Sequence, residues 1–185
     1  DEQNIFSSVA ALEYEIINAI YRLSQIEKPQ IAFIEGHGEA MEENLIDICT
    51  ELSDYYDVRR GPLGGNPGVL DGFDAVVVAK PTRPWSEDDK FAIDQYIMKG
   101  GNVLWLLDAT TASMDSLMTN QQSAALPLDL NIDDMLFTYG ARVNANCIRD
   151  MQCAGIGLAV DGPNGQPQIK MFPWDYYPVL SSSIK

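Results

Sequence analysis

The sequence predicts an α/β domain in which a doubly wound, mainly parallel β-sheet carries helices on both faces and continues into a C-terminal strand or hairpin extension. Two observations predict this class. Apolar runs of strand length alternate with amphipathic segments of helix length between residues 29 and 110. The runs at 75–79 and 103–107 are apolar without alternation, as expected of strands covered on both faces of a parallel sheet. A flavodoxin-like or amidotransferase-like arrangement fits this order of segments.

The N-terminal region, residues 1–28, is predicted to contain one amphipathic helix over residues 5–26. Its apolar residues recur every three or four positions and form a single stripe, which comprises Val9, Leu12, Ile16, Ile20 and Leu23. Such a helix either packs across the domain or leads away from it toward a partner. Because a buried apolar face is the commoner case, we expect the helix to dock on the domain.

The core domain is predicted to span residues 29–150. Strands are expected at 30–34, 55–60, 73–79 and 102–107, and helices follow the first and third of them. Ser86 is expected to cap the helix that runs to Lys99, with three acidic residues in its first turn, and Gly100 to end it. Segment 61–68 has the composition of a loop.

Beyond residue 110 the pattern loosens. A long loop is expected at 110–127, a short helix at 131–139 and a further strand at 142–146. The segments 156–160 and 168–172 flank a turn and predict a hairpin, which defines a C-terminal extension over residues 151–185. We expect this extension to lead into a region outside the 185 residues. Cysteines are few, and a disulfide between Cys147 and Cys153 is left open.

The charge balance excludes some classes of partner. There are 27 acidic residues against 12 basic ones, so the net charge is −15, which repels nucleic acid and anionic membranes. Most of this charge is expected to be solvated surface. No apolar run reaches the length of a membrane span, and the chain starts at Asp1 without a signal peptide. Any membrane anchor is therefore expected outside these residues.

Candidate site residues lie where the predicted strands end, because ligands of doubly wound sheets bind beyond the carboxyl ends of the strands. The first strand is followed by Glu35 and His37, and the third by Lys80 and Thr82. Asp108 and Thr110 follow the fourth. We expect these six residues to line a cleft for a ligand or a partner protein.

Catalytic motifs are missing from these positions. His37 is the only histidine, and no nucleophile stands in a Gly-x-Ser-x-Gly turn or its cysteine counterpart. The glycine-rich segments do not match a phosphate-binding loop or a dinucleotide fingerprint. We therefore expect a protein that is not an enzyme and has no metal or cofactor. A small-molecule or carbohydrate-binding domain, or a hydrolase, using the strand-end cleft remains the alternative.

One stretch carries a family likeness. Residues 73–108, and above all Asp94-Gln-Tyr-Ile-Met-Lys-Gly-Gly101 followed by an apolar strand and Asp108, resemble the gliding-motility auxiliary component of ABC transporters, the G component, a substrate-binding protein by family label. The segments 31–38, 139–140, 150–153 and 173–174 are similar too.

This resemblance implies a domain on the periplasmic face of the inner membrane, anchored by segments outside the present chain. It implies an ABC transporter permease and an ATPase as partners, in gliding or surface secretion, and no nucleic acid. The family is also similar to amidotransferase-like domains that lack the nucleophile, which agrees with the missing motif. It supplies no ligand residues that can be transferred to this sequence.

Overall fold

A computed structural model describes residues 2–25, 27–114, 116–117, 122–161 and 167–180. The chain divides into two compact units, one made of Asp1–Asp108 and Asp129–Arg142, the other of Ala109–Leu128 and Val143–Lys185. The elements are α1 (Glu2–Ser24), β1 (Gln30–Glu35), α2 (Glu42–Ser53), β2 (Asp57–Pro62), β3 (Ala75–Ala79), α3 (Glu87–Met98), β4 (Asn102–Leu106), α4 (Asp133–Thr138), β5 (Cys153–Asp161) and β6 (Pro167–Pro178).

The first unit is built on a four-stranded parallel sheet of order β2-β1-β3-β4. In its centre, Ile31 of β1 pairs with Val58 of β2 on one side and with Ala75 of β3 on the other. The chain runs outward from β1 to β2 and then, in the opposite direction, from β3 to β4. The predicted α/β class with a mainly parallel sheet is confirmed, whereas the flavodoxin-like type stays a prediction.

Both faces of the two central strands are buried. On one face, Ile31, Phe33, Val77 and Ala79 form a core against apolar side chains that include three from α2, Leu45, Cys49 and Leu52. On the other face, Val76 and Val78 are completely buried. Crossovers between parallel strands are right-handed as a rule, and two that leave the centre in opposite directions are then expected to place α2 and α3 on opposite faces.

Strand β4 departs from the prediction. Its apolar run is expected to be buried on both faces, yet Leu104 and Leu106 are 54% and 51% exposed, while Val103 and Trp105 are half-buried. In the described sheet β4 is an end strand that pairs with β3. Composition does not separate a central strand from an end strand with one open face, and the prediction of two buried faces is wrong.

Helix α1 forms as predicted, but it does not dock by its apolar stripe. Of the stripe residues, Leu12, Ile16, Ile20 and Leu23 are between 51% and 87% exposed. The helix instead touches the domain through its polar side. The Asn18 amide donates to the Tyr55 hydroxyl (2.6 Å) and Arg22 pairs with Asp54 (2.9 Å). The expectation of a docked apolar face is wrong.

Helix α3 begins and ends as the sequence predicts. The Ser86 hydroxyl accepts a hydrogen bond from the Asp89 amide (3.1 Å) and so satisfies one of the free donors of the first turn. After the helix, Gly100 adopts a φ of 92°, a left-handed value that favours glycine.

The second unit contains the predicted hairpin, in which β5 and β6 pair antiparallel over a longer span than expected. The predicted strand at 142–146 is wrong. All five residues are exposed, and the Asn146 amide bonds the carbonyl of Asn144 (2.8 Å), so the chain turns where a strand would extend. The predicted loop at 110–127 is closed by a bridge between Thr110 and Pro127. The domain boundaries 1–28, 29–150 and 151–185 stay predictions as independently folding regions.

Candidate functional site at the carboxyl edge of the sheet

The strand order reverses between β1 and β3, so the crevice of a doubly wound sheet lies beyond the carboxyl ends of these two strands. The turn Glu35–Gly38 follows β1 and the segment Lys80–Thr82 follows β3. The topology therefore brings four of the six predicted site residues to one edge of the first unit, and Asp108 follows the adjacent strand β4.

Two of the six candidate residues, Lys80 and Asp108, contact each other. Their side chains form an ion pair of 3.5 Å between Nζ and Oδ2, and they are 59% and 49% exposed. Lys80 has a φ of 55°, a strained value for a residue with a Cβ, and its amide donates to the carbonyl of Leu106 (2.8 Å). The backbone at this position is held by β4, and the charged pair is presented to solvent.

Glu35 pairs with a residue that sequence reasoning missed. Arg60, near the end of β2, contacts the Glu35 carboxylate at 2.6 Å and lies 3.9 Å from that of Glu42. The Arg60 side chain is largely buried. The available signal was its place in the second strand, which parallel pairing puts beside the first strand.

His37 does not join Lys80 and Asp108. Its side chain is 7% exposed and lies between two carboxylates, with Nδ1 3.0 Å from Glu39 and Nε2 3.1 Å from Asp89. The ring stacks on Trp85 at 4.1 Å between centroids with an interplanar angle of 9°. Both ring nitrogens are therefore engaged, and no nitrogen is left for a substrate or a metal.

The protonation states of this trio are coupled. Burial disfavours a charged imidazole, but the hydrogen bonds and the negative charges of Glu39 and Asp89 outweigh it and raise the pKa of His37 above its usual 6.5. Burial also opposes charge on the carboxylates. Hydrogen bonds, from His37 to Glu39 and from Ser86, Gly65 and His37 to Asp89, nevertheless lower the pKa of both. These shifts all favour an imidazolium between two carboxylates.

Thr82 supports the same turn. Its hydroxyl donates to the carbonyl of Gly38 (2.8 Å), and the amides of Thr82 and Arg83 both donate to the carbonyl of His37 (2.9 and 2.8 Å). Gly38 has a φ of 73°, and a Cβ there would stand 2.2 Å from the Thr82 hydroxyl oxygen. Thr82 thus closes the turn after β1 instead of offering its hydroxyl to a ligand.

Thr110 belongs to the second unit. It is buried there, and its hydroxyl lies 3.6 Å from the Cys147 sulfur. Cys147 and Cys153 are both free thiols. Five of the six predicted residues lie in the first unit. There, Lys80 pairs with Asp108, Thr82 bonds the turn that contains His37, and Glu35 pairs with Arg60.

Sequence reasoning missed Glu39, Asp89 and Trp85. Glu39 lies two residues from His37, which was the available signal, whereas Asp89 was explained by the dipole of α3 and lies 52 residues away in sequence. In the part of the chain that the structure describes, no group of three or more histidine, cysteine, aspartate or glutamate side chains is arranged to hold a metal ion. Nor does any described helix combine the length and apolarity needed to cross a bilayer.

The profile of one protein family, described as an ABC-type uncharacterized transport system, matches residues 28–184. The chain belongs to this family. The match covers both the sheet and the hairpin, and it confirms the coarser part of the resemblance, an auxiliary protein of ABC transport. No curated protein matches the sequence.

One comparison with solved structures shows a similarity in fold. The chain is similar to a solved structure titled "mmIFT52 N-terminal domain", with 16% identity and a TM-score of 0.52 over 78% of this chain. At this identity the likeness shows the fold alone. This chain covers 65% of the length of that solved chain.

Proposed function

We propose that the chain is a non-enzymatic docking domain of an ABC transport complex and that it works on the extracytoplasmic face of the membrane. The observation that carries this proposal is the family match over residues 28–184, which supports an accessory role in ABC transport. The finer assignments, a periplasmic location and assembly with a permease and an ATPase, follow the resemblance of residues 73–108. A role in gliding or secretion would be one setting of the same assembly.

The state of His37 supports a role other than catalysis. A general acid or base must reach the substrate with a free ring nitrogen. Here the single histidine of the chain is buried, and each nitrogen faces a carboxylate within 3.1 Å. The same geometry weakens the alternative of a small-molecule or carbohydrate site, or of a hydrolase, because His37 fills the turn instead of lining a cleft with Lys80 and Asp108.

The exposed ion pair supports the carboxyl edge as the docking surface. Lys80 and Asp108 are about half exposed, and Lys80 is held in a strained backbone conformation. Rim charges of this kind align partners and set the rate of association. We assign this edge to the permease.

The test is co-purification of the full-length protein with its permease and ATPase from detergent-solubilised membranes. We expect the three to be recovered together, and Lys80→Glu to lower recovery about tenfold, because it sets two carboxylates side by side at the edge. The matched control is Lys99→Glu. Lys99 forms an equally exposed pair with Asp71 (2.7 Å) at the amino edge of the sheet, so its recovery is expected to stay unchanged.

Two results would contradict the proposal. Recovery of the full-length wild-type protein without either transport subunit would contradict its proposed assembly with the permease and the ATPase. Equal losses for Lys80→Glu and Lys99→Glu would remove the carboxyl edge as the docking surface. For the alternative, a stabilising ligand whose effect disappears in His37→Ala would restore a binding site at the strand ends.

A further inference from the structure

Three separate segments of the first unit meet at His37. The turn after β1 supplies the histidine and Glu39. Helix α3 supplies Asp89, and the glycine-rich loop after β2 is attached to it because the Gly65 amide donates to Asp89 (2.9 Å). The Ser86 hydroxyl donates to the other oxygen of Asp89 (2.7 Å). His37 and Asp89 together therefore link a turn, a loop and the start of a helix.

This linkage requires two protons on the imidazole ring. Ionised carboxylates only accept hydrogen bonds, so a nitrogen that faces one must donate. A neutral imidazole has one N–H, whereas the imidazolium has two. With one proton lost, a nitrogen lone pair would face a carboxylate oxygen at 3.0 Å on the Glu39 side or at 3.1 Å on the Asp89 side. The buried position excludes water that would screen this contact.

We propose that His37 is a proton-operated clasp: with both ring nitrogens protonated it ties the turn after β1 to α3 and, through Asp89, to the glycine-rich loop, and release of one proton to solvent opens that tie. The clasp does not depend on the proposed transport role. It concerns the order of the loops at the carboxyl edge, whatever binds there.

The charges around the ring favour the closed state. Glu39 acts from the same turn and Asp89 from α3, and both are negative. From the segment after β3, the Arg83 side chain lies against Gly38, and Arg60 of β2 pairs with Glu35 at the start of the turn. Trp85 covers one face of the ring and favours a cation there without titrating itself. The glycine-rich loop contributes the backbone of Gly65.

The closed state can be followed through the backbone amide of Gly65. Gly65 has a φ of 65° and its amide is fixed by Asp89. When the imidazole loses its Nε2 proton, the lone pair faces Asp89 Oδ2, the ring no longer holds this carboxylate, and the bond from the Gly65 amide to Asp89 Oδ1 weakens. Exchange of this amide with solvent therefore reports the clasp, on the time scale of local opening.

The experiment is an NMR titration of the imidazole in the wild-type chain, with amide exchange of Gly65 measured in the same samples. Because the chain has one histidine, the imidazole signals belong to His37 without mutagenesis. We expect both ring N–H signals below the midpoint and a midpoint above pH 6.5. Above that midpoint the Gly65 amide should exchange about tenfold faster than the intrinsic pH effect explains.

Two conservative variants and one control sharpen the test. Asp89→Asn and Glu39→Gln each remove one carboxylate and should lower the imidazole midpoint. Asp88→Asn makes the same charge change one residue away without a contact to the ring, and it should leave the imidazole midpoint unchanged; its side chain lies beside Gly65, so it is a control for the midpoint alone.

The proposal is overturned if the imidazole midpoint lies at or below pH 6.5, or if Gly65 protection does not respond to imidazole deprotonation. It is also overturned if Asp88→Asn shifts the midpoint as much as Asp89→Asn, because the effect would then be general charge and not the clasp. The wild-type titration decides the question even where a variant folds poorly.

Discussion

At the scale of single residues, close approach and not composition decides what each candidate does. Gly38, Thr82 and His37 occupy one turn in which the backbone has no room for a further side-chain atom. The Thr82 hydroxyl takes the place a Cβ would need, at 2.2 Å from the ideal position. Polar residues that the sequence predicts to bind a ligand instead form hydrogen bonds within this turn.

Gly38→Ala is expected to destabilise the fold by about 2 kcal/mol or more, because a left-handed φ and a clash with Thr82 act together. Chemical denaturation measures the free energy of unfolding. Gly72→Ala is the matched control, since Gly72 has a φ of 95° but no atom within 4 Å of the added Cβ. Equal costs for the two would show that Thr82 does not close the turn.

At the scale of elements, an apolar pattern in a helix does not by itself show that the apolar face is buried. Helix α1 has a regular apolar stripe, yet those side chains are exposed, whereas α3 buries Ala92, Ile93 and Tyr96. The difference arises because a stripe reports only that a face is apolar. Which surface meets that face is fixed by contacts made through other residues, here Asn18 and Arg22.

The same substitution should therefore have different costs in the two helices. Ile20→Ala, at a side chain 61% exposed, should change the free energy of unfolding by less than about 0.5 kcal/mol. Ile93→Ala, at a side chain with no exposure, should cost about 2–5 kcal/mol. Denaturant titration of both variants compares them. A large loss in Ile20→Ala would mean that the α1 stripe is packed after all.

At the scale of the whole molecule, a surplus of 15 negative charges surrounds one imidazole held between two of them. Most acidic side chains act as a solvated surface, as the sequence predicts. Glu39 and Asp89 are the exception. Their bonds to His37 need a charged imidazole, so part of the pH dependence of the stability of the first unit comes from this trio.

We expect maximal stability at mildly acidic pH. The pKa of folded His37 is raised, so its contribution is complete below the unfolded value near 6.5 and is lost as pH rises through the folded pKa. The pKa values of Glu39 and Asp89 are lowered, so their contribution is present above 4.5 and 3.8 and is lost as pH falls through the folded values.

The measurement is the free energy of unfolding as a function of pH for the wild type and His37→Gln. The wild type should be most stable between about pH 4.5 and 6.5 and should lose stability at higher pH. His37→Gln should lose this decline because glutamine does not titrate. Parallel curves above pH 6.5 would contradict a stabilising imidazolium.

The sequence by itself determined the strands and helices of the first unit, the cap at Ser86, the hairpin and the parallel arrangement that brings the strand ends to one edge. These follow from local periodicity, from turn chemistry and from the rule that parallel strands end at one edge. Only the tertiary structure decided that β4 has an open face, that the α1 stripe is exposed and that His37 is clasped by Asp89. Those outcomes depend on contacts between residues far apart in the chain, which local pattern does not encode.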